Sequence, residues 1–183
     1  MNILLVVDMQ RDFVDRALGT KEAAAIVPAV ADKIRSYAEK GDPILVTRDT
    51  HGEDYLQTQE GKNLPVVHCV RGTPGWELDD TVAAALPPYA VTVDKPTFGS
   101  VRLPELIGEY VAANGAENVN LEIIGLCTDI CVVSNALLLK AHFPEAPIAV
   151  DAACCAGVTP EKHAAALETM RSCQIEIREA TEK

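Results

Sequence analysis

Short apolar runs alternate with segments of helical period along this chain, and that alternation restricts its fold more than any other feature. Ile3 to Asp8 reads as a strand, and Lys21 to Lys40 then places Ile26, Val27, Val30, Ile34 and Tyr37 on one helical face before Gly41 stops it. Pro43 to Asp49 is a second strand, and Thr50 to Gly75 is a long irregular segment. The remaining order is helix (Glu77 to Leu86), strand (Ala90 to Asp94), helix (Leu103 to Ala113), strand (Asn118 to Gly125), helix (Asp129 to His142), strand (Pro147 to Asp151), helix (Pro160 to Ser172) and strand (Ile175 to Arg178). Six strands of mostly continuous apolar residues need cover on both faces, so a parallel sheet in a three-layer α/β/α sandwich is expected. Right-handed crossovers then gather the strand C-termini on one edge, where open α/β sheets bind ligands.

With 183 residues and 48% hydrophobic content, the chain supports one core and one domain, spanning residues 1–183. A net charge of −11 without clustered Lys and Arg excludes a nucleic-acid surface. The longest apolar runs, such as Ile3 to Val7 and Ala136 to Leu139, fall far below the roughly 20 residues that cross a bilayer. Met1 leads straight into the first strand without a basic leader, so the expected location is the cytoplasm. There the six cysteines (Cys69, Cys127, Cys131, Cys154, Cys155 and Cys173) are expected to be reduced.

Polar and reactive residues collect at the predicted strand ends: Asp8, then Asp49 and His51, then Lys95, then the stretch Gly125-Leu126-Cys127-Thr128-Asp129-Ile130-Cys131-Val132-Val133. Two cysteines four apart at such a turn suit a metal pair, a disulfide, a redox couple, or one nucleophile beside one packing residue. A lone Cys in an apolar helix is most often a core residue. At a shared sheet edge, however, Lys95 and a helix start would favour the Cys131 thiolate, and Asp8 could take the thiol proton and return it to a leaving amine.

A metal site is also legible. Asp49 and His51 offer two ligand types at one strand end, His68 follows on the same irregular segment, and Glu60 lies between them. Carboxylate with imidazole suits zinc, iron or manganese, leaving positions for water or substrate. His142 and His163 fall in predicted helices and are expected to lie away from this edge.

The chain resembles the isochorismatase-like family of cysteine hydrolases, whose best-known amidases are nicotinamidases. The resemblance rests on Val7-Asp8-Met9-Gln10-Arg11-Asp12-Phe13, Asp49-Thr50-His51, His68 to Gly75, Asp94-Lys95-Pro96-Thr97-Phe98-Gly99-Ser100, and Gly125 to Val132, in family order across almost the whole chain. It implies a Rossmann-like, six-stranded parallel sheet, Cys131 as nucleophile, Asp8 as base and Lys95 as the third member of the triad. It places a cis peptide between Leu126 and Cys127, turning N–H groups near Cys127 and Cys131 towards an oxyanion. It also implies a divalent metal, zinc foremost with iron or manganese as alternatives, on Asp49, His51 and His68, with Glu60 as the fourth candidate.

One departure stands out. Nicotinamidases commonly carry Trp-Pro just before the metal His, whereas this chain reads Leu64-Pro65-Val66-Val67-His68. Phe13, Trp76 and Phe98 could wall the pocket instead, and each could equally be a core residue. The expected protein is a homo-oligomeric, metal-containing cysteine amidase acting on a small carboxamide, nicotinamide first. A ureido or other small amide is the alternative, a non-catalytic binding module is a third reading, and isochorismate hydrolysis would leave the metal motif unexplained.

Overall fold

A computed structural model describes residues 1–179. Its six strands are β1 (Asn2–Val7), β2 (Ile44–Asp49), β3 (Val91–Lys95), β4 (Asn120–Leu126), β5 (Ile148–Ala156) and β6 (Glu176–Arg178). They form one sheet in the order β3-β2-β1-β4-β5-β6, every pairing parallel.

The central strand shows why the apolar runs had to be continuous. Leu4 and Val6 pack on one face with Val30, Ile34, Val46 and Ile124, while Ile3, Leu5 and Val7 pack on the other with Leu103, Ile107, Ile123 and Leu139. Both faces are dry, so alternation with polar residues would bury unpaired groups. The first face is covered by α2 (Lys21–Lys40), after the four-residue α1 (Arg11–Val14). The Thr20 hydroxyl caps α2 by accepting the Ala23 N–H, and Gly41 closes it in the left-handed region at φ 71°. The irregular segment contains α3 (Gln59–Asn63), and α4 (Asp80–Ala85) follows it. The opposite face is covered by α5 (Leu103–Asn114), α6 (Val133–His142) and α7 (Pro160–Ser172).

Three local expectations are corrected. The fourth predicted helix does not begin as an α-helix, because Thr128–Val132 forms a π-type turn ahead of α6. The helix expected from Glu77 starts at Asp80, where the Asp79 carboxylate accepts the N–H groups of Thr81 and Val82. Strand β5 runs five residues beyond Asp151. Its added end is rich in Ala, a weak strand former, and is held by burial: Cys154 packs into one core and Cys155 into the other.

A buried carboxylate ties α2 to the sheet. Glu122 accepts from Tyr37 Oη at 2.5 Å, Lys33 Nζ at 3.1 Å and Arg178 Nη1 at 3.0 Å. Burial pushes its carboxyl up, but the hydrogen bonds from Tyr37 and Lys33 outweigh burial and hold it below the usual range. Glu122→Gln is therefore expected to destabilise the fold by about 2 kcal/mol near neutral pH, since it weakens charge-assisted bonds. With the folded pKa depressed, that contribution is complete above the unfolded carboxyl value and is lost as pH falls through the folded one. Urea unfolding of both proteins across that range checks it; a constant difference at all pH values would contradict it.

Candidate active site

The parallel register assembles the site. Val7 pairs with Thr47 and Gly125, and Asp49 pairs with Lys95, so the ends of β1, β2, β3 and β4 deliver Asp8, Asp49, Lys95 and Cys127 to one edge. A Cβ on Gly125 would lie 2.1 Å from the Val7 carbonyl oxygen, so glycine is what lets β4 approach β1 there. Asp8 turns out of β1 at φ 47°, its N–H donating to the Thr47 carbonyl and its Oδ1 accepting the Thr47 hydroxyl at 2.7 Å.

Lys95 is the hub. It is 1% exposed, and its Nζ lies 2.6 Å from Asp8 Oδ2, 3.4 Å from Cys131 Sγ and 3.5 Å from Asp49 Oδ1. An ammonium so buried needs this many acceptors. Burial would push Lys95 down, but the Asp8 and Asp49 carboxylates beside it outweigh burial and raise it, so it stays protonated. Cys131 behaves differently from the sequence expectation. Burial and the neighbouring Asp8 carboxylate push its thiol well above the ordinary value, and Lys95 only partly offsets them. The local reading counted the cation and the helix start, but not desolvation or Asp8. Burial and Asp8 together favour the thiol form of Cys131.

Beside this trio, Asp49, His51, Glu60 and His68 converge, one ligand atom from each lying within 4.8 Å of all the others. His51 Nε2 is 2.9 Å from Asp49 Oδ2 and 3.7 Å from Glu60 Oε1, and His68 Nε2 is 3.6 Å and 3.9 Å from the same oxygens. The irregular segment folds back to achieve this: the His51 N–H donates to the Cys69 carbonyl and the Arg71 N–H to the His51 carbonyl. His68 Nδ1 meets the Val66 carbonyl at 2.8 Å, which leaves Nε2 facing the cluster, and the buried His51 Nε2, although 2.9 Å from Asp49 Oδ2, is not aligned for a regular hydrogen bond. Two imidazole nitrogens and two carboxylates aimed at one point fit a divalent cation.

A cavity of about 280 Å³ opens onto both groups. Cys131, Asp49, Glu60 and His68 line its reactive side, and Phe13, Leu64, Leu126 and Ile130 are among its apolar walls. Phe13 and Phe98 take the pocket positions expected of them; Phe98 remains 47% exposed at the cavity. Trp76 does not line it. Its indole N–H donates to the Thr50 hydroxyl, and the Arg48 guanidinium covers its ring at 3.7 Å, so it packs behind β2 instead. The Leu126–Cys127 peptide is cis, where the resemblance placed it.

Other contributors had no signal of their own in the sequence. Gln10 is wholly buried: its side-chain oxygen accepts the Asp49 N–H, and its amide donates to the carbonyls of Asp49 and Trp76. Asp12 accepts the Cys69 N–H at 2.8 Å, holding the residue after His68. Asn135 donates to the Cys131 carbonyl at 2.8 Å, one turn back. His163 is not remote from the edge, as its helix position suggested, because its Nδ1 lies 2.8 Å from the Thr128 hydroxyl.

A model of the isochorismatase domain matches residues 2–182. The chain belongs to the isochorismatase family. Within it, the chain is 27% identical to the nicotinamidase/pyrazinamidase of Mycobacterium tuberculosis, across 97% of this chain and 98% of that protein. It is also 27% identical to the nicotinamidase of Schizosaccharomyces pombe, across 95% of this chain and 91% of that one. Among solved structures, the pyrazinamidase of Pyrococcus horikoshii in complex with zinc superimposes with a TM-score of 0.80 at 33% identity, covering 97% of this chain and 98% of that one.

Proposed function

We propose that this chain is a metal-containing cysteine amidohydrolase that cleaves a small carboxamide to its acid and ammonia, with nicotinamide as the leading substrate. The observation that carries the reading is the buried Lys95 ammonium, held between the Asp8 carboxylate and the Cys131 sulfur, with Cys131 lining a largely apolar cavity. The family relatives named nicotinamidase and pyrazinamidase support the choice of an amide.

Asp8 takes the Cys131 thiol proton as Sγ bonds to the amide carbon, and Lys95 stays charged to stabilise the forming thiolate. The carbonyl electron pair moves onto oxygen, which N–H groups near Cys127 and Cys131 receive in the turn. Asp8 then gives its proton to the amide nitrogen as the C–N bond breaks, so ammonia leaves and a thioester remains on Cys131. Water attacks the thioester carbon as Asp8 accepts its proton, the C–S bond then breaks, and Asp8 returns that proton to the sulfur, restoring the thiol as the acid departs. Asp49, His51 and His68, with Glu60, would hold the divalent metal, for which zinc is the first choice. When bound, it supplies a Lewis-acid anchor for a ring nitrogen, carbonyl or water of the bound substrate.

Ammonia release over a panel of small amides, with metal analysis of the same sample, tests the assignment; no turnover of any amide by metal-loaded protein would refute it. His51→Ala is expected to lower bound metal and amide turnover together, while Cys131 remains open to alkylation. Full activity after exhaustive chelation would remove the metal from the account.

One observation favours a second substrate. Leu64 lines the cavity just before the His68 loop, where many nicotinamidases place an indole, so the site has no large aromatic stacking face there. A ureido or aliphatic amide would lose less from that replacement. A higher kcat/KM for such an amide than for nicotinamide would decide for it.

A further inference from the structure

We propose that His163 is a positioning residue that fixes the nucleophile turn through Thr128. The inference rests on the reading of Cys131 as nucleophile. Cys131 sits in the π-type turn Thr128–Val132, where the Cys127 carbonyl accepts from both the Ile130 and the Val132 N–H. Such a widened turn lacks the regular ladder of an α-helix, so its shape depends on what grips it from outside.

The grip comes from the start of α7. The Thr128 side chain is fully buried, and its hydroxyl meets His163 Nδ1 at 2.8 Å, its one side-chain hydrogen bond among the described residues. The next residue is held from the same side, Asp129 Oδ1 accepting the Val158 N–H at 2.9 Å. A Cβ on Gly157 would lie 2.9 Å from both Asp129 Oδ1 and His163 Cα, so the turn and the helix meet with no room to slide. Burial holds the His163 imidazole below its ordinary pKa despite the Asp129 charge, and in the neutral ring Nδ1 pairs with the Thr128 hydroxyl as acceptor or as donor, according to the tautomer. Thr128 lies between the cis peptide and Cys131, so fixing its rotamer fixes the N–H groups and the sulfur on either side of it. His163 touches none of the reacting atoms. Its effect passes through the turn.

A displaced nucleophile costs about 10²-fold in rate per ångström even when binding is intact. His163→Leu, which removes the hydrogen-bond partner of Thr128, is therefore expected to lower kcat of the folded, metal-loaded enzyme by about 10- to 100-fold, with KM changed by less than about threefold. His163→Asn sets a side-chain amide where Nδ1 stood and should recover most of kcat. Thr128→Val should match His163→Leu, Thr128→Ser should stay near the wild type, and the Val/Leu double variant should be no worse than either single change. Wild-type kcat in folded His163→Leu would overturn the proposal, as would an Asn variant no better than Leu, or single losses that multiply in the double variant. If His163→Leu does not fold, the Thr128 pair and His163→Asn still decide: equal kcat in Thr128→Val and Thr128→Ser rejects the role. A wild-type protein that hydrolyses no amide would instead refute the amidase reading.

Discussion

Cys131→Ala is expected to lower amide hydrolysis by on the order of 10⁴-fold or more while leaving the fold intact. In the proposed mechanism the sulfur bonds to the acyl carbon, and among the described residues no second thiol on the cavity wall shares its hydrogen bond with Lys95. Cys127 also lines the cavity, but burial and the Asp129 charge push its thiol up to about 12, and the Lys95 hydrogen bond goes to Cys131. Loss of one small side chain at a buried site should cost about 1 kcal/mol of stability, so the variant remains folded and measurable. Turnover within tenfold of the wild type would contradict the assignment.

Asp8→Asn is expected to lower kcat by about 10³-fold, because an amide cannot accept and return the proton that must move twice. The same change should act on Cys131 in the opposite direction. Burial and the Asp8 carboxylate hold the thiol up, while Lys95 pulls it down. With the carboxylate gone and Lys95 still 3.4 Å away, Cys131 should ionise at a lower pH. The variant should be nearly inactive, yet alkylated at Cys131 at a lower pH than the wild type. Peptide mapping is needed to separate that signal from Cys173, which is exposed. An unchanged or raised alkylation pH in Asp8→Asn would show that Asp8 does not govern the thiol.

What was legible in the sequence follows from which interactions are local. β1 and β2 could be read because dry cover on both faces demands a continuous apolar run, and the parallel topology then fixes which strand ends meet. The second half of β5 could not, since Ala152 to Ala156 have little strand preference and are held by the two cores around them. The π-type turn has no composition signature. Asp8, Lys95 and Cys131 were legible through strand ends and family motifs, but the direction of the thiol shift was not, because desolvation depends on the whole fold. An aromatic side chain alone does not say whether Trp76 walls the pocket or packs in the core, and Arg48 and Thr50 hold it in the core. A place in a predicted helix gives no sign that His163 reaches the edge, yet its Nδ1 lies 2.8 Å from the Thr128 hydroxyl.

The covalent step can be read directly by mass. Metal-loaded wild-type protein mixed with excess amide, quenched in acid during the first turnover and analysed intact, should gain one acyl group, and peptide mapping should place it on Cys131. Cys131→Ala should gain none. Ammonia release at the wild-type rate without any acyl adduct on Cys131, or an adduct that persists in Cys131→Ala, would contradict a thioester mechanism at this site.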